Sequence, residues 1–232
     1  MAVGTPAARA ALDATATIPI VFGVGDALET GLAVSLSRPD RNGTGISVMS
    51  TELSAKRLEL LLEIAPKARK IDYLYNPASP LGPRMRQEVE KAASTLHVQL
   101  EPVEARNAQE VDAALDRIRR NPPDGFLLSS EVLFMANRQR IVESITKLRL
   151  PAVFPWRMYV ADGAPISYGP SNEEGVRRMA LYVDRILKGA KPSTLPVEQI
   201  SEFRLIINAK AAKAQGLKLP ESMLLRASEI IR

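Results

Sequence analysis

The sequence predicts an α/β fold in which parallel strands are covered on both faces by helices. Short apolar runs recur along the chain, and between them apolar residues return at helical spacing. Strands that alternate with helices imply crossover connections, and hence parallel sheets with helices packed on each side. Hydrophobic residues make up 46% of the 232 residues, enough for a real core, and aromatics only 5%, so aliphatic side chains must build it.

Ile18–Phe22 reads as the first buried strand, and Leu28, Leu32 and Leu36 then share a helical face. Leu58, Leu61, Leu62 and Ala65 repeat that face in a stronger helix, which Pro66 stops. Strand Ile71–Tyr75 follows, then a helix carrying Met85, Val89, Ala92 and Leu96, and strand Val98–Val103. The helix through Val111, Leu115 and Ile118 leads to strand Gly125–Leu128. Ile141, Ile145 and Leu148 mark another helix, Ala152–Phe154 a strand, and Ile166–Tyr168 a further short strand. A helix through Val176, Met179, Val183 and Leu187 comes next, then strand Phe203–Ile207 and an Ala-rich helix from Ala209 to Gln215 closed by Gly216. The stretches Arg38–Gly45 and Gly189–Pro196, rich in Pro and Gly, read as linkers where the chain crosses between lobes.

Composition narrows the function. The net charge of +5 is spread along the chain, its densest groups falling at helix ends, and no nucleic-acid motif accompanies it, so no nucleic-acid partner is expected. With no cysteine, thiolate chemistry and paired-thiol racemisation are excluded. The single histidine, His97, lies between a helix and a strand and reads as a surface or packing residue, so Ser-His-Asp catalysis has no base. No metal is expected, because no dense Asp/Glu spacing is present, and no cofactor either. Gly23-Val24-Gly25 starts a dinucleotide fingerprint, but Leu28 stands where the third glycine is needed. Asp26 and Glu131 are the one carboxylate pair that could serve acid–base chemistry, and their better reading is as an N-terminal helix acid and a solvated turn residue. The chain is read as a binder rather than an enzyme. No run of about 18 apolar residues spans a membrane, and the start lacks the basic and apolar regions of a signal peptide.

Right-handed crossovers place every strand-to-helix turn on one edge of a parallel sheet, where such folds bind ligands. The turns so selected carry Gly25 and Asp26, Asn76 and Ser79, Ser129, Ser130 and Glu131, Trp156, and the segment after Tyr168. Asp26 and Glu131 suit a ligand ammonium as counter-charges, and helix N-termini after Asn76 and Ser171 suit a carboxylate. Trp156, Tyr75, Phe22 and Tyr168 would supply apolar walls.

The string Thr17–Phe22, Gly25-Asp26, Gly31-Leu32, Ser37-Arg38-Pro39, Asn42, Thr44 and Gly45 resembles one family, and Glu52–Leu61, Tyr75-Asn76-Pro77, Ser167–Pro170, Tyr182–Pro192, Leu195–Gln199, Ile207-Asn208 and Ala211–Ala214 continue the resemblance. It is the ABC-transporter substrate-binding family that includes tryptophan- and tyrosine-type periplasmic binding proteins. The resemblance implies a two-lobed periplasmic-binding-protein-like fold of type I, with residues 1–48 and 169–195 in the N-terminal lobe and 49–168 and 196–232 in the C-terminal lobe. It implies an importer component that captures a small polar metabolite, an amino acid among the options, in the inter-lobe cleft. An ABC permease would be its partner and the periplasm or another extracytoplasmic space its location, whereas a chain without a signal peptide would stay in the cytoplasm. The turns at Asp26, Asn76 to Ser79, Ser129 to Glu131 and Trp156 would face that cleft. Where the family often has Asp-Pro after the third of these strands, this chain has Glu131-Val132. Against the family pattern the first strand–helix units of the N-terminal lobe are lacking, which is expected to leave an unpaired sheet edge that a homodimer would cover. The alternative reading is a ligand-sensing regulatory domain of similar fold without a transporter.

Overall fold

The computed structural model describes all residues except Asp40 and Met49. In chain order the elements are β1 (Ala2–Val3), α1 (Thr5–Ala14), β2 (Ile20–Val24), β3 (Gly43–Ser47), α2 (Ser50–Ile64), β4 (Lys70–Tyr75), α3 (Gly82–Thr95) and β5 (Gln99–Glu104). They continue as α4 (Ala108–Arg120), β6 (Gly125–Leu128), α5 (Val132–Ala136), α6 (Arg138–Lys147), β7 (Ala152–Val153), α7 (Arg157–Ala161) and β8 (Ile166–Pro170). The chain ends with α8 (Asn172–Leu187), β9 (Glu198–Gln199), β10 (Phe203–Asn208), α9 (Ala209–Ala214), α10 (Glu221–Arg226) and β11 (Glu229–Ile231).

Two compact units result, the first from Met1–Thr51 and Pro170–Glu202, the second from Glu52–Gly169 and Phe203–Arg232. In the first, a sheet of order β1-β2-β3-β9 pairs in parallel throughout. Alternate residues of β2 face opposite ways, as strand geometry requires. Phe22 and Val24 pack with Ala8 and Leu12 of α1 on one face, while Val21 packs with Ile46, Met179 and Tyr182 on the other. β1 ends the sheet, and Val3 on it is 65% exposed.

In the second unit, a parallel sheet of order β5-β4-β6-β7 and a sheet of order β11-β10-β8 are joined by a parallel bridge between Phe154 and Ser167. Ile71, Tyr73 and Tyr75 of β4 pack with Leu58 and Leu61 of α2 and Val89 of α3. Leu74, between them in sequence, packs on the opposite face with Val111, Ile118, Phe126 and Ile141. Each fully buried Leu or Phe of these layers contributes about 1.5–3 kcal/mol. Side chains cap the helices where the residues allow it: Asn107, Ser171 and Asn208 accept the N–H of Glu110, Glu174 and Ala211. Gly216 ends α9 at φ 75°, and His97 takes the same left-handed position after α3, a turn role rather than a chemical one.

Several expectations need correction. Leu28, Leu32 and Leu36 form no helical face: the Asp26 carboxylate accepts the N–H groups of Leu28 and Glu29, and Gly31 turns the chain at φ 63°. The first strand begins at Ile20 rather than Ile18, which is 63% exposed beyond Pro19. Arg38–Gly45 is no linker between lobes, since Gly43–Ser47 is a fully buried strand inside the first unit (Asp40 lies outside the described residues). There the bare α-carbon of Gly45 passes so close to β2 that an added Cβ would stand 1.9 Å from the Phe22 carbonyl oxygen. Gly189–Pro196 also stays within the first unit, joining α8 to β9. The short helices α5, α7 and α10 and strands β9 and β11 have too few residues to show a period in sequence.

Candidate functional site

The turn residues selected from sequence divide between the units. In the first, Gly25 directly follows β2, and its carbonyl accepts from Ser50 N–H at 3.1 Å. Asp26 is engaged by its own turn, as above, which leaves its carboxylate already bonded by two backbone donors. Ser171 caps α8, whose first turn carries Glu173 and Glu174. Those acids serve the helix dipole themselves, so this N-terminus is not an open carboxylate site. The expected helix start after Asn76 is also displaced. The Asn76 side chain accepts Ala78 N–H, a turn through Pro77 and Pro80 follows, and α3 begins only at Gly82.

In the second unit the carboxyl ends of β4 and β6 bring several groups together. Ser129 is fully buried at the end of β6, with Ser130 and Glu131 following. Ser79, from the turn after β4, places its hydroxyl near the Glu131 carboxyl. Burial pushes that carboxyl up to about 7, against the opposing effect of Ser79. Trp156, at the start of α7, stacks on Tyr159 at 6.1 Å, and Tyr159 stacks on Phe154 at 5.1 Å. Tyr168 lies with its ring 6.2 Å from that of Phe203. Of the other proposed walls, Phe22 is a core residue of the first unit, and Tyr75 bonds Glu104 through its hydroxyl at 2.9 Å.

Sequence reading missed the group at the centre of this cluster. Arg57 lies in mid-α2 on the stripe formed by Leu53, Ser54, Leu58, Leu61 and Ile64, and it is fully buried. Its Nε–H donates to the Tyr168 carbonyl at 2.8 Å, and its Nη1 lies 3.5 Å from the Ser54 hydroxyl. Nη2 has no hydrogen-bond partner among the described residues. Burial pulls the guanidinium down to about 10, while the neighbouring Tyr73, Tyr159 and Tyr168 act in the opposite direction. The hydroxyls of Tyr159, Ser130 and Ser167 and Oε1 of Glu131 are buried as well, without a hydrogen-bond partner among the described residues, whereas the Tyr73 hydroxyl is hydrogen-bonded to Ser54 and Ser129. Tyr73 and Tyr159 each feel both the Arg57 charge and the Glu131 charge, and burial raises both phenols above their ordinary range. Buried polar groups are nearly always paired, because each unpaired one costs about 1–3 kcal/mol. Five such groups, on Arg57, Ser130, Glu131, Tyr159 and Ser167, therefore mark a surface built for something besides this chain. The usable signal in sequence was an arginine at a core position of an otherwise apolar helix stripe.

Residues 1–231 match the profile of the ABC transporter substrate binding protein family. The chain belongs to that family. It is similar to the tyrosine-binding protein of Clostridioides difficile strain R20291, at 27% identity over 220 residues covering 94% of this chain. The match takes in 62% of that relative, so the chain spans less than two thirds of its length. A conserved domain protein from Vibrio cholerae superposes with a TM-score of 0.88 at 29% identity, covering 98% of this chain and 76% of that one. The ABC domain of a Streptococcus pneumoniae protein in complex with L-Trp gives a TM-score of 0.87 at 24% identity, covering 99% and 79%, a likeness of fold. The fold is thus the type I periplasmic-binding-protein-like one.

Proposed function

We propose that this chain captures an L-amino acid for an ABC importer, with no chemical step. The match of the substrate-binding family to residues 1–231 carries the reading. A relative named for tyrosine and a fold neighbour holding L-Trp support an amino acid as the ligand. The buried polar groups of the second unit support it independently, since they include a carboxyl, a guanidinium and hydroxyls with hydrogen-bonding capacity to spare. On this reading Glu131 takes the ligand ammonium, with Ser79, Ser129 and Ser130 around it and Trp156 as an apolar neighbour. Asn76 shapes the turn that carries Ser79, and Tyr168 acts through its carbonyl, which anchors Arg57. Gly25 and Asp26 form the corresponding turn of the first unit. The protein works with an ABC permease on the extracytoplasmic side of the membrane. Among the described residues no helix is long and apolar enough to cross a membrane.

Thermal unfolding against a panel of L-amino acids, with D-enantiomers as controls, tests the reading. A ligand at about 100 times its Kd stabilises by roughly 2.7 kcal/mol, a shift on the order of 5–10 °C for a chain of this size. A selective shift with one L-amino acid supports the proposal, and no shift with any of them counts against it. Self-association through the β1 edge is a further part of the reading, suggested by the exposed Val3 on that end strand. A monomeric mass at micromolar concentration would refute it.

A further inference from the structure

We infer that Arg57 is the anchor for the carboxylate of a zwitterionic ligand, with the Tyr73 and Tyr159 hydroxyls beside it and Glu131 taking the opposite charge. This rests on the amino-acid reading above and deepens it, because nothing in the sequence or the comparisons assigns Arg57 a role.

Three observations carry the inference. First, Arg57 is buried without a counter-ion among the described residues: its neighbours are three tyrosines, neutral phenols at ordinary pH, and no carboxylate acts on it. A buried cation without a partner is strongly destabilising, so a fold keeps one only where a partner arrives. Second, its fork is half used. Nε–H is held by the Tyr168 carbonyl, which fixes the plane of the guanidinium, while Nη2 retains donors that no described residue accepts. A planar fork fixed at one nitrogen is suited to receive a planar carboxylate at another. Third, the charges are balanced but not paired with each other. Glu131 does not figure among the groups acting on Arg57, nor Arg57 among those acting on Glu131, yet both act on Tyr73 and Tyr159. One cation and one carboxyl held apart across two buried phenol hydroxyls are the complement of a zwitterion. They do not suit phosphate or sulfate, which would meet the Glu131 carboxyl with like charge.

The test compares L-tyrosine and L-tryptophan with their carboxamides, and with sodium sulfate, by thermal shift and calorimetry on wild type and Arg57→Lys. The carboxamides keep the ammonium and side chain and lose the anionic carboxylate. The expected result is that wild type binds at least one free amino acid and rejects its amide. Arg57→Lys, which keeps the charge and loses the fork, should weaken the free acid on the order of 100-fold while leaving the weak amide unchanged. Equal binding of acid and amide by wild type overturns the inference, whatever Arg57→Lys does, so the comparison survives a variant that fails to fold. Stabilisation by sulfate that Arg57→Lys abolishes would make Arg57 a general anion site and also overturn it. Binding of neither acid nor amide overturns the amino-acid reading itself, and the inference with it.

Discussion

Replacing Glu131 by glutamine should stabilise the unliganded protein, and increasingly so as the pH rises. The carboxyl is pushed from its ordinary 4.5 up to about 7 by burial, and no cation offsets this. In the unfolded chain the same group ionises near 4.5. Below that pH it is protonated in both states and contributes nothing. Between 4.5 and 7 the unfolded chain loses its proton first, so the folded state binds more protons and stability falls as pH rises. Above 7 the full penalty of holding a buried carboxylate is in place. At about 1.36 kcal/mol per pH unit, the interval from 4.5 to 7 corresponds to a ceiling of about 3 kcal/mol. Glu131→Gln removes the charge at nearly constant volume, so the gain over wild type should grow from near zero at pH 4.5 to about 3 kcal/mol at pH 8. For a chain of this length that is roughly 6–12 °C in Tm. Differential scanning fluorimetry of both proteins from pH 4.5 to 8.5 measures it directly. A Tm difference that stays flat across this range, or that favours wild type at pH 8, would refute the argument. Ligand affinity should move the other way, rising with pH in wild type as Glu131 ionises and becoming weak and pH-independent in the variant.

Tyr159→Phe removes a buried hydroxyl that has no hydrogen-bond partner among the described residues, so the unliganded Tm should hold or rise while amino-acid affinity in calorimetry falls several-fold. Gly45→Ala drives a methyl against the Phe22 carbonyl in the middle of the first sheet, and soluble expression with a cooperative unfolding transition should be lost; a Tm within a few degrees of wild type would show that the strands part easily. Thr44→Val leaves the carbonyls of Leu195 and Pro196 without the hydroxyl that donates to them at 2.9 and 3.2 Å, which should cost about 1–3 kcal/mol in denaturant unfolding.

What could be read in advance follows the physics of period. Val111, Leu115 and Ile118 return at helical spacing over α4, and Gly125–Leu128 is an unbroken apolar run between turns, so both elements stand where the pattern puts them. Residues 25–39 mislead because Leu28, Leu32 and Leu36 mimic a helix while Asp26 and Gly31 close turns within the same stretch. Gly43–Ser47 hides a central strand because its glycines, read as linker residues, are what lets β2 and β3 pack closely. The turn rule finds Ser129, Ser130 and Glu131 because they follow a strand directly. It cannot find Arg57, Tyr73 or Tyr159, which lie inside regular elements, where burial is decided by packing and not by the local string. A charged residue on an apolar helix stripe is the trace such a group leaves.

The pairing of β9 against β3 has a consequence for the order of events as the chain is made. The Thr44 hydroxyl meets the Leu195 carbonyl across 151 residues of sequence. At about 5–20 residues per second, roughly 8–30 s separate the synthesis of these two partners. During that interval β3 has β2 on one side and nothing on the other, while α8, which covers one face of the sheet through Met179 and Tyr182, has not yet emerged. Residues 52–169, by contrast, emerge as one uninterrupted segment carrying β4, β5, β6 and β7 with their helices. The first unit is complete once β9 is made, the second only after β10 and β11, and the interval before β9 and α8 arrive is when a chaperone or a second nascent chain has its opportunity at β3.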